Sequence, residues 1–166
     1  MPRAIRALAP GEPRERCIDT LILTAEQRRM QRGFVFGAKG VCVEFDFSDP
    51  VVLQTDDAVL LDNGTVVEIV AEAEPLLEVR ADFPILLRIA WMLGDRHVPV
   101  EVRPGRVRLR RDPALEPLLI AIGARVMPIA APFEPEGGAY ALSSEHAGHH
   151  HHHGHTHDHA HADKAT

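Results

Sequence analysis

The sequence predicts an α+β fold, in which a small all-β amino-terminal domain is followed by a ferredoxin-like βαββαβ domain and a disordered His-rich tail. Three observations support this prediction. Apolar residues alternate with period two over about the first seventy residues, as they do in strands. Strand-like and helix-like runs then follow each other, and no Val, Ile, Leu, Met or aromatic residue occurs after residue 142. The expected domains are therefore 1–73, 74–142 and 143–166.

Short alternating runs form the predicted strands of the first domain. They contain Ile5, Ile18 and Val41, and each run is bounded by Gly, Pro or charged residues. The clearest signal is a hairpin over 58–70, because the Asp-Asn-Gly triplet in AVLLDNGTVVEIV supplies turn backbone between two β-rich runs.

A basic segment, TAEQRRMQRG, lies between these strands at 24–33. Its first and fourth residues, Thr and Gln, have the spacing of a capping box, so the segment is either a helical turn or a charged loop. Its arginines Arg28, Arg29 and Arg32 either contact an acidic partner or form a solvated face, and the solvated face is favoured.

Glycine and proline divide the second domain into the order β-α-β-β-α-β. A strand around Leu77 leads to a helix that Asp82 caps and Gly94 ends, because glycine adopts a left-handed backbone most easily. The remaining predicted elements are strands at 98–102 and 107–109, a helix at 116–122 and a strand at 125–129.

The first of these helices is apolar over an unusual width. Its apolar positions form one strip of Phe83, Leu86, Leu87, Ala90 and Leu93, and a second strip of Ile85, Ile89 and Met92. Such width predicts that the helix is buried on two sides.

Charge and composition exclude several classes of protein. The chain has 18 Lys plus Arg against 24 Asp plus Glu, a net charge of −6, which argues against nucleic-acid binding. No apolar run approaches the roughly 20 residues that span a bilayer, and the amino terminus lacks the apolar stretch of a secretory signal. We therefore expect a cytoplasmic protein that binds neither nucleic acid nor membrane.

Histidine is the residue type that departs most from an ordinary composition, since ten of the 11 lie in the last 21 residues. Closely spaced imidazoles on a flexible chain bind nickel, zinc, copper and cobalt, so the tail is a predicted metal collector without geometric selectivity. A purification tag is the alternative, but irregular spacing follows the run of five histidines. The predicted tail ligands are His146, His149, His150, His151, His152, His153, His155, His157, His159 and His161.

His97 is the one histidine of the body, in the segment LGDRHVPVEV after the first helix. A single imidazole does not complete a metal site, so a second protomer, the tail or water must supply the other ligands. From the residues alone, an ordinary surface histidine explains this position equally well.

The chain resembles the UreE family of urease accessory proteins, which are nickel metallochaperones. Four segments and the His-rich end carry the resemblance, and their order and spacing together are specific. The segments are LTAEQRRMQRG (23–33), AEAEPLLEV (71–79), LGDRHVPVEV (93–102) and PFEPEGGAY (132–140).

The resemblance implies a homodimer formed through the second domain, with a first domain of peptide-binding type. It implies that His97 meets its symmetry mate and that the pair binds a metal ion, with the second apolar strip as the dimer surface. Asp95 stands where many members have Asn, and adds negative charge beside the site. The segment RLRRD at 108–112 lacks the additional histidines of some relatives.

The expected function is delivery of Ni(II), carried as cargo, to apo-urease. The expected partners are the urease accessory GTPase and the rest of the apo-urease activation complex, while Zn(II), Cu(II) and Co(II) compete for the site. A metal-dependent hydrolase is disfavoured, because the sequence has no H-E-x-x-H pair and no ligand cluster in the body, and no enzyme is expected. The alternative is a His-rich metal buffer or storage protein not connected with urease.

Overall fold

The computed structural model describes residues 1–14 and 16–138, and these form a mixed α+β fold of mostly strands with two helices. The α+β prediction is therefore confirmed. The predicted tail and its ten histidines lie outside the described residues. None of the helices in residues 1–14 and 16–138 has the length and hydrophobicity of a membrane-spanning segment.

Two small sheets form the first half of the described chain. Their strands are β1 (Ala4–Leu8), β2 (Cys17–Leu23), β3 (Arg32–Phe36), β4 (Cys42–Asp46), β5 (Ala58–Leu61) and β6 (Val66–Ala71). One sheet has the order β1-β5-β6-β2, and β3 pairs with β4 in the other. Buried side chains of both sheets, including Leu21, Phe45 and Ile69, form a common core. The predicted hairpin is confirmed as β5 and β6, with Gly64 at φ +76° in its turn.

The sequence does not predict β3, which follows the basic segment. Phe34 and Phe36 point outward and are exposed, so the strand lacks the polar alternation that would reveal it. The basic segment itself forms one turn of 3-10 helix, Gln27–Arg29. Its capping box is confirmed, because the Thr24 N–H donates to Gln27 Oε1 at 3.0 Å and the Gln27 N–H donates to Thr24 Oγ1 at 3.2 Å.

A four-stranded antiparallel sheet with two helices on one face forms the second half. Its elements are β7 (Ala73–Arg80), α1 (Phe83–Asp95), β8 (Val100–Arg103), β9 (Arg106–Arg110), α2 (Leu115–Ala121) and β10 (Arg125–Pro132). They follow one another in the order that glycine and proline predict, and the strand order across the sheet is β10-β7-β9-β8. Leu77, Ile89, Leu93, Leu109 and Leu119 are buried between the helices and the sheet.

A buried arginine, Arg28, connects the two halves. Only 2% of its side chain is exposed, and its guanidinium donates to the carbonyl oxygens of Leu53 at 3.2 Å and Phe133 at 2.6 Å. It also forms an ion pair of 2.8 Å with Glu134. The expectation that Arg28 lies on a solvated or partner-binding face is wrong, because its side chain is buried. The carbonyl and carboxylate oxygens around the guanidinium compensate for its removal from water.

Candidate metal centre

His97 lies in the turn that ends α1, and its side chain is exposed. Its backbone is left-handed, with φ +55°. The His97 N–H donates to the Gly94 carbonyl at 3.0 Å, and the Val98 N–H donates to the Leu93 carbonyl at 2.9 Å. These two bonds form a Schellman motif in which His97 is the left-handed residue.

The predicted end of α1 at Gly94 is wrong. The helix continues through Asp95, with Arg96 as its cap, and Gly94 keeps a helical backbone. Leu93 is fully buried and Val98 packs against the same core, which places the closing turn around these two apolar residues. Packing therefore selects the helix end here, rather than the position of the glycine.

The second helix ends in the same way but with a glycine. The Gly123 N–H donates to the Ile120 carbonyl at 2.9 Å, and the Ala124 N–H donates to the Leu119 carbonyl at 3.1 Å. Gly123 has φ +101° and occupies the position that His97 occupies after α1. A side chain in the left-handed region costs about 1 kcal/mol relative to glycine. The end of α1 thus holds an exposed imidazole at a small local cost in stability, and Arg16 and Asp56 are the other non-glycine residues with positive φ among the described residues.

The carboxyl-terminal end of α1 favours a bound cation. The last carbonyl groups of a helix carry a partial negative charge, and a carboxylate beside them is unfavourable unless a cation is near. Asp95 lies in this last turn, which contains no basic residue, although Arg96 follows at the cap. Asp95 therefore adds a negative charge near His97, which the positive charge of Arg96 partly offsets.

His97 has no ready-made ligand set in the described part of the chain. Residues 1–14 and 16–138 contain no group of three or more His, Cys, Asp or Glu side chains that could hold a metal ion. A neutral imidazole is a good ligand for nickel, zinc and copper, but a stable site needs more than one. Further ligands must come from a second chain, from the tail or from water.

An exposed apolar stripe runs along α1 towards His97. Phe83 is 75% exposed, Leu87 54% and Trp91 73%. These residues are four apart, so their side chains lie on one face of the helix. Large exposed apolar side chains in a contiguous line are typical of an interface.

This stripe is not the second strip that the sequence indicates. Ile89 is fully buried, and Ile85 and Met92 pack against the core of their own chain. The assignment of these three residues to a dimer surface is wrong, because α1 is turned so that Ile89 and Leu93 face the sheet.

Glu136, which lies shortly before the predicted tail, forms hydrogen bonds with β8, the strand that follows His97. The Glu136 N–H donates to the Val100 carbonyl at 2.7 Å, and the Val102 N–H donates to Glu136 Oε1 at 3.3 Å. Residues just before the tail are therefore held along β8, whose first residue is Val100.

The family model and the similar proteins described below carry the same family name. The family model described as "UreE urease accessory protein, C-terminal domain" matches residues 74–161. A protein named "Urease accessory protein UreE" from Bradyrhizobium sp. strain BTAi1 is 43% identical over 150 residues, which cover 90% of this chain and 73% of that protein. A protein of the same name from Beijerinckia indica is 41% identical, over 90% of this chain and 86% of its own length. Another from Chelativorans sp. strain BNC1 is 42% identical, over 87% of this chain and 92% of its own length.

Proposed function

The chain belongs to the UreE family of urease accessory proteins, and from this premise we propose that it binds Ni(II) as cargo and delivers it to apo-urease. The family acts in urease maturation and consists of accessory proteins rather than enzymes. The chain therefore has an accessory role in urease maturation, and nickel is the metal associated with that role.

The backbone of His97 is the observation that carries the proposal. An exposed imidazole occupies a left-handed helix end, where glycine stands after α2, and it does so beside the negative end of α1. Imidazole suits Ni(II), and it also suits Zn(II), Cu(II) and Co(II), which compete for the same ligand.

A homodimer completes this site by placing the two His97 side chains together. The support for it is the apolar stripe of Phe83, Leu87 and Trp91, which runs along α1 to the turn that holds His97. In an isologous contact, residues near the two-fold axis meet their own copies, so the two imidazoles come together when the axis passes through the His97 end of the stripe.

The tail histidines collect metal and transfer it to the paired His97 site by exchange of ligands. The urease accessory GTPase and the apo-urease activation complex then receive the metal in the cytoplasm. The support is chemical, because a flexible set of imidazoles binds metals readily but imposes no geometry.

We also propose the domain boundaries 1–73, 74–142 and 143–166. The two halves have separate apolar cores, and the family match begins at residue 74. The second domain is proposed to be ferredoxin-like, on the basis of its β-α-β-β-α-β order and the sheet order β10-β7-β9-β8. The first is proposed to be a peptide-binding domain, as the family resemblance implies.

Calorimetric titration with Ni(II) tests the proposal on a chain that ends at Gly138 and carries no affinity tag. A carrier should retain about one tightly bound metal ion per two chains through its remaining histidine. In the same shortened chain, His97→Ala should abolish that binding. A metal buffer unconnected with urease, the alternative function, would lose all tight binding with the tail.

A further inference from the structure

Four arginines stand side by side across the second sheet. Arg125 pairs with Arg80, Arg80 with Arg106, and Arg106 with Arg103. Cross-strand partners project from the same face of a sheet, so the four side chains share one face. Adjacent strands are about 4.8 Å apart, so this arginine row, Arg80, Arg103, Arg106 and Arg125, spans about 14 Å.

Two buried carboxylates lie beneath the arginine row. Glu78 contacts Arg80 at 2.6 Å, Arg108 at 2.9 Å and Arg106 at 3.4 Å, and Glu101 forms an ion pair with Arg103. Burial raises the pKa of the Glu78 carboxyl, but hydrogen bonds from Arg80 and Arg108 and the charges of Arg106 and Arg80 outweigh it and lower the pKa overall. Glu78 is therefore ionised at neutral pH and helps to hold the guanidinium groups.

The surface above these carboxylates is cationic. The arginine row and Arg108 contribute five positive charges, against the three negative charges of Glu78, Glu101 and Asp82, which lines a cavity with Arg80 and Arg125. The carboxylates of Glu78 and Glu101 are nearly inaccessible, whereas the side chains of Arg80, Arg103 and Arg106 are 49%, 41% and 31% exposed, and Arg125 is exposed as well. A chain of net charge −6 thus concentrates positive charge at one place.

The arginine row lies at the exposed end of this face of the sheet, away from His97. At the other end of the face, Leu76 packs with Ala25 and Phe133, which covers that part of the sheet. Arg80 precedes α1 and His97 follows it, so the 13 residues of the helix separate them by about 20 Å.

We propose that the arginine row is the docking surface for a carboxylate-rich face of a protein of the urease maturation machinery. Arginine forks bind carboxylates in pairs, and a helix or strand with three or four acidic side chains fits a row of this length. Nucleic acid fits less well, because the row is short, two carboxylates lie within it and the whole chain is acidic. The inference rests on the proposed function for the choice of partner, but not on the metal.

Binding of the full-length chain to purified apo-urease in complex with its accessory proteins tests this inference. The test variant carries Arg103→Gln, Arg106→Gln and Arg125→Gln, which leaves Arg80 and Arg108 to hold Glu78. The control carries Arg3→Gln, Arg6→Gln and Arg32→Gln, which removes the same charge from exposed, ion-paired arginines of the first half. We expect about tenfold weaker binding for the test variant, and wild-type binding that weakens as salt rises from about 50 to 500 mM.

Absence of binding by the wild-type chain would overturn the inference, and so would unchanged affinity of the test variant or an equal loss of affinity in the test variant and the control. Displacement of the bound protein complex by a DNA duplex would also overturn it. Nickel titration of the test variant should match that of the wild-type chain, so a failure of the nickel proposal is seen separately. If the triple variant does not fold, the single variant Arg125→Glu replaces it, since Arg125 makes no ion pair with another described residue.

Discussion

His97 and Gly123 occupy equivalent places at two helix ends of this chain. Both have positive φ, and both donate the inner hydrogen bond of a Schellman motif. Glycine adopts this backbone without strain, whereas histidine does not. At the scale of the residue, the imidazole at the end of α1 therefore comes with a small loss of stability.

Replacing His97 by glycine should stabilise the metal-free fold while removing the ligand. We expect His97→Gly to raise the free energy of unfolding by about 0.5–1 kcal/mol and His97→Ala to leave it nearly unchanged, because alanine retains the strain. Urea denaturation with a chelator present measures both. A less stable His97→Gly variant would show that the side chain of His97 supports the fold.

Asp19 is a second residue whose role is set by its backbone contacts. Its carboxylate is 1% exposed and accepts N–H groups from Thr20 at 2.7 Å, Lys39 at 2.9 Å and Val41 at 3.0 Å. Burial raises the pKa of Asp19, but these hydrogen bonds outweigh it and lower the pKa overall. A side chain at Gly37 would collide with this carboxylate.

The lowered pKa of Asp19 predicts a loss of stability in acid. Its contribution is complete above the ordinary aspartate value of about 3.9 and is lost as the pH falls through the lower folded value. Wild-type unfolding free energy should therefore decrease more steeply below about pH 4 than that of Asp19→Asn. Parallel curves for the two proteins between about pH 5 and pH 2 would contradict this role.

At the scale of the element, α1 has one buried face and one exposed face. Ile89 and Leu93 are fully buried against the sheet, while Phe83, Leu87 and Trp91 remain exposed. The exposed face carries three large apolar side chains in line, and the last of them lies six residues before His97. The orientation of α1 thus connects the proposed dimer to the proposed metal site.

A charge on the exposed face of α1 should dissociate the proposed dimer. Trp91→Glu places a carboxylate in the proposed contact, whereas Ile120→Glu places one on α2, where the side chain is 55% exposed. Analytical ultracentrifugation should find monomers for Trp91→Glu and dimers for Ile120→Glu. Dimers of both variants would remove the stripe from the interface.

At the scale of the whole molecule, the halves are tied together by charge buried between them. Arg28 reaches from the first half to Phe133 and Glu134, and Glu74 accepts the Ala25 N–H at 2.7 Å. Leu76 and Phe133 are fully buried at the same junction. Both terminal nitrogens of the Arg28 guanidinium donate to oxygen atoms at this junction, whereas its buried Nε has no hydrogen-bond partner among the described residues.

Loss of the Arg28 side chain should therefore destabilise the chain strongly. We expect Arg28→Ala to lower the unfolding free energy by about 3 kcal/mol, because Glu134 and two carbonyl oxygens lose their donor. Arg29→Ala is the control, since the side chain of Arg29 is exposed and donates a hydrogen bond to the Pro135 carbonyl. Thermal or urea unfolding compares the two, and equal losses would show that the junction does not depend on Arg28.

Local signals predicted the elements of this fold better than its contacts. The Asp-Asn-Gly turn and the glycine after α2 indicated their elements correctly, because turn chemistry is local. The sequence does not predict the end of α1, since the packing of Leu93 and Val98 decides it, and it does not predict β3, because Phe34 and Phe36 face outward. The arginine row depends on the register of four strands, which no single segment reveals.

The most direct test of the central claim is X-ray absorption spectroscopy of nickel bound to the untagged chain that ends at Gly138. That chain contains one histidine, His97. Two imidazole rings per nickel ion must therefore come from two chains, and this is the predicted result. Nickel surrounded only by oxygen ligands, or a spectrum unchanged in His97→Gly, would contradict a metal site built from paired His97 side chains.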